Sequence, residues 1–155
     1  MKRNENLIEL SRDHHHGLLL GWKIKTGLRR KVPVDQIADY IVHFAREALF
    51  PHFEEEENKV LGYLEKADPF YQRTIQEHSE IRQLIKQLCI KNLTDASLLT
   101  NFADKLDAHI RFEERELFPY MENVLSMQQL EQIGKEIAEL HQPYIEKYSD
   151  EFWAN

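Results

Sequence analysis

His52 and Glu56, and again His109 and Glu113, form a histidine followed four residues later by a carboxylate. On a helix that spacing puts both side chains on one face, roughly 5–6 Å apart at Cβ. An imidazole nitrogen beside a carboxylate oxygen is a pair of metal donors. Two such pairs in a helical chain are the sequence form of a two-metal site. The copies extend beyond the pair: His52-Phe-Glu-Glu-Glu56-Glu57 runs on to Tyr63, and His109-Ile-Arg-Phe-Glu113-Glu114 runs on to Tyr120, with His, Glu, Glu and Tyr at equal offsets.

A single His-x-x-x-Glu is usually an exposed ion pair, so its surroundings decide its meaning. Here both copies interrupt apolar stripes. One face of the second helix, expected from Val34 or Asp35 to about Lys66, carries Ala38, Val42, Ala45, Leu49, His52, Glu56, Val60 and Tyr63. The fourth helix carries Leu99, Phe102, Leu106, His109, Glu113, Leu117 and Tyr120. Carboxylates in an apolar interior cost several kcal/mol unless paired or bound to a metal.

The other two long helices each contribute one stripe histidine. In the first, from Leu7 to about Leu28, His14 shares the face of Leu7, Leu10, Leu18, Trp22 and Leu28; His15 is the reserve, since only one of His14, His15 and His16 can face inward. In the third, opened by Asp68-Pro69 as cap and first residue and running to about Ile90, His78 lies among Tyr71, Ile75, Ile81, Ile85 and Leu88. The candidate metal ligands are therefore His14, His52, Glu56, His78, His109 and Glu113. This nitrogen and oxygen set without thiolate suits iron or manganese, with zinc as a further candidate. Glu56 and Glu113 are placed to bridge two metals; Glu57 and Glu114 are the alternative or supporting carboxylates. Glu54 and Glu55 read as solvated charge, His43 as a surface or packing residue, and His141 as a non-ligand.

Punctuation between these stripes is helical. Arg29-Arg-Lys-Val-Pro33 ends the first helix, and Pro51 predicts a kink or loosening just before His52. Asn92-Leu-Thr94-Asp95 makes a turn with Thr94 as cap, and Ser126-Met-Gln-Gln129 is a capping box for a short fifth helix ending near Pro143. Tyr144, Tyr148, Phe152 and Trp153 form an aromatic tail expected to dock on the bundle. Long helices joined by short connections predict an all-α, up-down-up-down four-helix bundle, with residues 1–155 as a single domain.

Composition excludes other classes. A net charge of −7 offers no cationic field for nucleic acid, and no run approaches a membrane span. The lone cysteine, Cys89, rules out an internal disulfide and a cysteine-based metal set. With no apolar leader after the basic start, the chain reads as mature, soluble and cytoplasmic.

Taken together, Asp13-His14, His52-x-x-x-Glu56-Glu57, Glu77-His78-Ser-Glu80 and His109-x-x-x-Glu113-Glu114-x-x-Leu117-Phe118-Pro119 resemble the hemerythrin-like, or HHE cation-binding, family over nearly the whole chain. The resemblance implies a four-helix bundle holding two non-haem iron ions with carboxylate and oxo or hydroxo bridges. It also implies small ligands: oxygen, peroxide or nitric oxide to be bound or sensed, or iron itself. Two departures stand out. Arg82 occupies the position, four residues after His78, where oxygen carriers place a second histidine, and where they place an aspartate five residues after the last histidine this chain has Glu113 at four and Glu114 at five. The missing histidine argues against simple reversible oxygen carriage. Two competing expectations are a di-iron enzyme that cycles oxidant and an iron donor in stress defence or iron-centre repair. The sequence names no protein partner.

Overall fold

The computed structural model describes residues 2–154, and within them the chain is helical with no strand. Helix α1 is Ile8–Arg29, preceded by a 3₁₀ turn, Glu5–Leu7, that the Asn4 side chain caps. Helix α2 spans 34–63, α3 is Pro69–Leu88, α4 spans 96–124 and α5 is Met127–Leu140. Helix α1 packs on α4 and α2, and α3 packs on α2 and α4, giving an all-α bundle of four long helices.

Local chemistry sets these boundaries. Asp68 caps α3 by accepting from the Phe70 amide, and Ser126 with Gln129 forms the reciprocal capping box of α5. Helix α4 is capped by Asp95, which accepts from the Leu98 amide, rather than by Thr94. The Thr94 hydroxyl instead donates back to the Leu88 and Ile90 carbonyls. Helix α2 stops at Tyr63, three residues short of Lys66, because Leu64 turns to extended backbone.

Helices α2 and α4 are not regular. Helix α2 passes from α-helical Val34–Phe44 through a π turn, Ala45–Leu49, to α-helical Phe50–Glu55, a second π turn, Glu56–Val60, and a 3₁₀ turn, Leu61–Tyr63. Helix α4 passes from Ala96–Phe112 through a π turn, Glu113–Leu117, to Phe118–Val124. Pro51 and Pro119 each stand six residues after the start of a π turn. A proline lacks the amide proton and collides with the carbonyl four residues back, and a widened turn relieves both. The loosening expected before His52 is this turn. The other π turn in α2 has no proline, yet it begins at Glu56 as the one in α4 begins at Glu113. Single π turns inside helices gather at functional sites.

The core falls into two apolar clusters. One holds Leu20, Ile24, Ile41, Phe53, Ile85, Phe102 and Ile110 with their neighbours; the other holds Leu7, Leu10, Val60, Phe112, Phe118 and the α5 residues Leu130, Ile133 and Ile137. In each long helix the histidine lies between the two. On α1 the inward face is Leu10, His14, Gly17, Leu20 and Ile24, whereas Leu18 and Trp22, expected inside, are 37% and 51% exposed. The reason is Gly17: a Cβ there would lie 2.6 Å from Ile110 Cδ1, so α4 seats on a glycine that apolar periodicity does not register.

Candidate metal centre

Helical register brings six side chains into one layer. His14 comes from α1, His52 and Glu56 from α2, His78 from α3, and His109 and Glu113 from α4, all at most 6% exposed. His15 faces outward, so α1 contributes His14. The donors fall into two groups, His14, His52, Glu56 and Glu113, and Glu56, His78, His109 and Glu113, each with its ligand atoms within 4.8 Å of one another. Both glutamates belong to both groups, which is the placement a bridging carboxylate needs.

The histidines present Nε2 inward. His109 Nε2 lies 3.0 Å and His14 Nε2 3.3 Å from Glu113 Oε1, His78 Nε2 lies 3.6 Å from Glu56 Oε2, and His52 Nε2 touches Glu56 Oε1. None of these approaches has hydrogen-bond geometry: all four Nε2 atoms and all four oxygens of Glu56 and Glu113 are buried without a hydrogen-bond partner. Buried polar atoms are rarely orphaned. Eight of them converging from four helices fit the donor set of bound cations.

Each Nδ1 has a carboxylate of its own. His14 Nδ1 is 2.7 Å from Glu114, His52 Nδ1 2.9 Å from Asp13, His78 Nδ1 2.9 Å from Glu57 and His109 Nδ1 2.8 Å from Glu77. Ionised carboxylates only accept, so Nδ1–H donates and the Nε2 lone pair is left for a metal. The arrangement has approximate two-fold symmetry, with Asp13, His14, His52, Glu56 and Glu57 matching Glu77, His78, His109, Glu113 and Glu114 in every one of these contacts. Ring spacings repeat too: His14–His52 and His78–His109 are both 4.9 Å apart.

The outer carboxylates are themselves held. Glu57 takes Arg82 at 2.8 Å, Glu114 takes Arg3 at 2.9 Å and Glu77 takes Arg73 at 2.8 Å. Arg82 therefore does not enter the centre in place of the absent histidine; it fixes the carboxylate that fixes His78. Phe53 stacks on His78 at 3.9 Å and Phe118 on His14 at 5.5 Å, walling the layer with apolar rings.

Electrostatics show how strongly the centre attracts positive charge. Burial disfavours charge on His52, but Glu56 and Asp13 outweigh it and raise the imidazole to about 10. Burial is likewise overcome at His109, raised to about 9 by Glu113 and Glu77. His14 and His78 move up against burial for the same cause. Desolvation would raise Glu77 and Glu114, yet His109 with Arg73, and His14 with Ser11 and Arg3, pull them down to about 2. Loading a cation must expel the protons these carboxylates attract.

Residues 6–121, about three quarters of the chain, match the model of the hemerythrin HHE cation-binding domain. The chain belongs to that family. No curated protein and no solved structure gives a significant match. For this hemerythrin-like chain, family and geometry agree on a cation-binding layer of histidine and glutamate.

Of the supporting carboxylates, the sequence pointed to Glu57 and Glu114 but gave no such role to Asp13 and Glu77, and it did not say which histidine any of them holds. Asp13, Glu57, Glu77 and Glu114 each adjoin a candidate ligand in sequence but hold a histidine of another helix, so no i,i+4 rule finds them. Glu55, expected in solvent, pairs with His141 Nδ1 at 2.8 Å. His43 is a packing residue, its ring 4.8 Å from that of Tyr148. The aromatic tail docks on the bundle, with Phe152 buried and Tyr144, Tyr148 and Trp153 packed beside it. Among the described residues no helix is long and apolar enough to cross a membrane.

Proposed function

We propose that this chain is a non-haem di-iron protein that binds or senses oxygen, peroxide or nitric oxide. His14, His52, His78 and His109 would be terminal ligands, and Glu56 and Glu113 would bridge. The observation that carries the reading is the set of eight buried, unpartnered donor atoms shared between two four-donor groups. Imidazole and carboxylate without thiolate suit iron. The iron pair, when bound, supplies redox chemistry and affinity for small ligands. The protein's residues do the rest: the outer carboxylates keep each imidazole in the metal-binding tautomer, and the apolar clusters on either side limit solvent.

A cavity of about 40 Å³ reaches the layer, lined by His14, His52, His109 and Glu113 together with Gly17 and Phe44. Through it a small ligand such as oxygen, peroxide or nitric oxide can reach the layer. The test is metal analysis of protein purified under iron-replete conditions, with absorption spectra of both redox states. Two irons per chain, with near-ultraviolet charge-transfer bands in the oxidised state that shift on adding nitric oxide, are expected. One stoichiometric zinc, or no metal, overturns the reading.

A further inference from the structure

Glu57, Glu77 and Glu114, which hold three of the histidines, are paired with Arg82, Arg73 and Arg3. Asp13 holds the fourth, with Oδ2 on His52 Nδ1, and pairs with no arginine or lysine among the described residues. Its other oxygen, Oδ1, faces His141. His141 Nδ1 lies 2.8 Å from Glu55 Oε2, so Nδ1–H donates to that carboxylate and the lone pair is on Nε2. Nε2 is buried without a hydrogen-bond partner, in a side chain only 6% exposed, and lies 3.3 Å from Asp13 Oδ1. A buried nitrogen lone pair turned to a carboxylate oxygen is unfavourable unless a cation lies between them.

The four histidines of the centre have this same arrangement: a carboxylate on Nδ1, and an orphaned Nε2 turned to a carboxylate oxygen. At His141 the approach fails as a hydrogen bond but fits a shared metal. Two donors each about 2.0–2.2 Å from one ion stand about 3.0–3.5 Å apart in octahedral or tetrahedral geometry. Asp13, Glu55 and His141 form a group whose ligand atoms lie within 4.8 Å of one another. All three line the cavity that reaches the centre, where Glu47 adds another carboxylate and no lysine or arginine offsets them. His141 follows α5 directly and lies beyond the residues that match the family model.

We infer that His141 Nε2 and Asp13 Oδ1 form a third divalent-cation site, separate from the donor layer and set in the wall of its cavity. Glu55 fixes the tautomer that leaves Nε2 bare, and water from the cavity completes the coordination. Nitrogen and oxygen donors without thiolate suit ferrous iron, manganese or zinc. Asp13 then has one oxygen on the ion and the other on His52, so the site adjoins the centre without sharing a donor atom with it. Two protein donors make it weaker than either site of the centre.

The test is equilibrium dialysis of the iron-loaded protein against cobalt(II), with iron and cobalt counted per chain. Wild type should take up one cobalt and keep its irons. In His141→Ala, and in His141→Gln, which keeps the bulk, cobalt should bind at least about 10-fold more weakly, with the iron count and the circular dichroism unchanged. In wild type, pulsed electron paramagnetic resonance of manganese(II) at the site should show a single imidazole nitrogen. No cobalt beside the irons in wild type, cobalt that binds as tightly without His141, iron lost together with the cobalt, or manganese without a coupled nitrogen overturns the inference. A wild-type chain that holds no pair of irons overturns the proposed function instead, and the cobalt that depends on His141 is counted apart from it.

Discussion

Replacing Glu57 tests whether the carboxylates behind the histidines set metal affinity. Glu57 Oε2 accepts from His78 Nδ1 at 2.9 Å and from Arg82 at 2.8 Å, and its side chain is 24% exposed. In Glu57→Ala, His78 loses its orienting partner, whereas Arg82, one third exposed, turns to water. A charge-assisted hydrogen bond is worth about 1.5–3 kcal/mol, and loss of such a partner typically costs about 10- to 100-fold in metal affinity, or roughly 1.4–2.7 kcal/mol. The two scales agree. Glu57→Gln keeps an acceptor oxygen, so it belongs near the tenfold end, with Glu57→Ala near the hundredfold end. By the approximate two-fold, Glu114→Ala should match Glu57→Ala through His14, and exposed Glu54→Ala should do nothing. Competition against a chelator of known affinity, with circular dichroism to confirm the fold, measures all four. If Glu57→Ala binds within threefold of wild type, or if Glu54→Ala loses as much, the outer carboxylates are surface charge and the reasoning fails.

Removing the metal should lower thermal stability, because the orphaned donors then have only protons to share. At free metal a hundredfold above Kd each site contributes about 2.7 kcal/mol, so two sites correspond to a fall of roughly 10–20 °C in Tm on chelation for a chain of this size. Calorimetry of loaded and stripped protein checks it. The stripped chain should also lose stability at both pH extremes. Glu77 and Glu114 are depressed to about 2, so their contribution is complete above about 4.5 and disappears as pH falls toward 2. His52 is raised to about 10, so its contribution is complete below about 6.5 and disappears as pH rises through 10. Loading should abolish the alkaline loss, since a metal takes the neutral imidazole; melting curves from pH 2 to 10 would show both limbs. Gly17→Ala should destabilise the chain by about 1 kcal/mol, the clash with Ile110 outweighing the helix propensity gained. An unchanged or raised melting temperature would show that Ile110 yields freely.

Periodicity in the chain was enough for the helices and for the inward placement of His52, Glu56, His78, His109 and Glu113, and it favoured His14 over His15 without excluding the latter. Both follow from i,i+3 and i,i+4 relations within one segment, and the all-α bundle follows from four such segments with short connections. Packing between helices decided the rest. Asp13 stands next to His14 but serves His52, and Glu57 stands next to Glu56 but serves His78, because neighbouring residues on a helix point about 100° apart and meet different partners. Gly17 carries no apolar signal, yet it lets α4 approach, and so Leu18 and Trp22 face outward. Nothing in the spacing along single helices assigns Arg82 or Arg3 a partner; the fold brings each to a carboxylate. The donor layer is written in spacing along single helices; what holds its imidazoles in place is written only in contacts between helices, which no single segment contains.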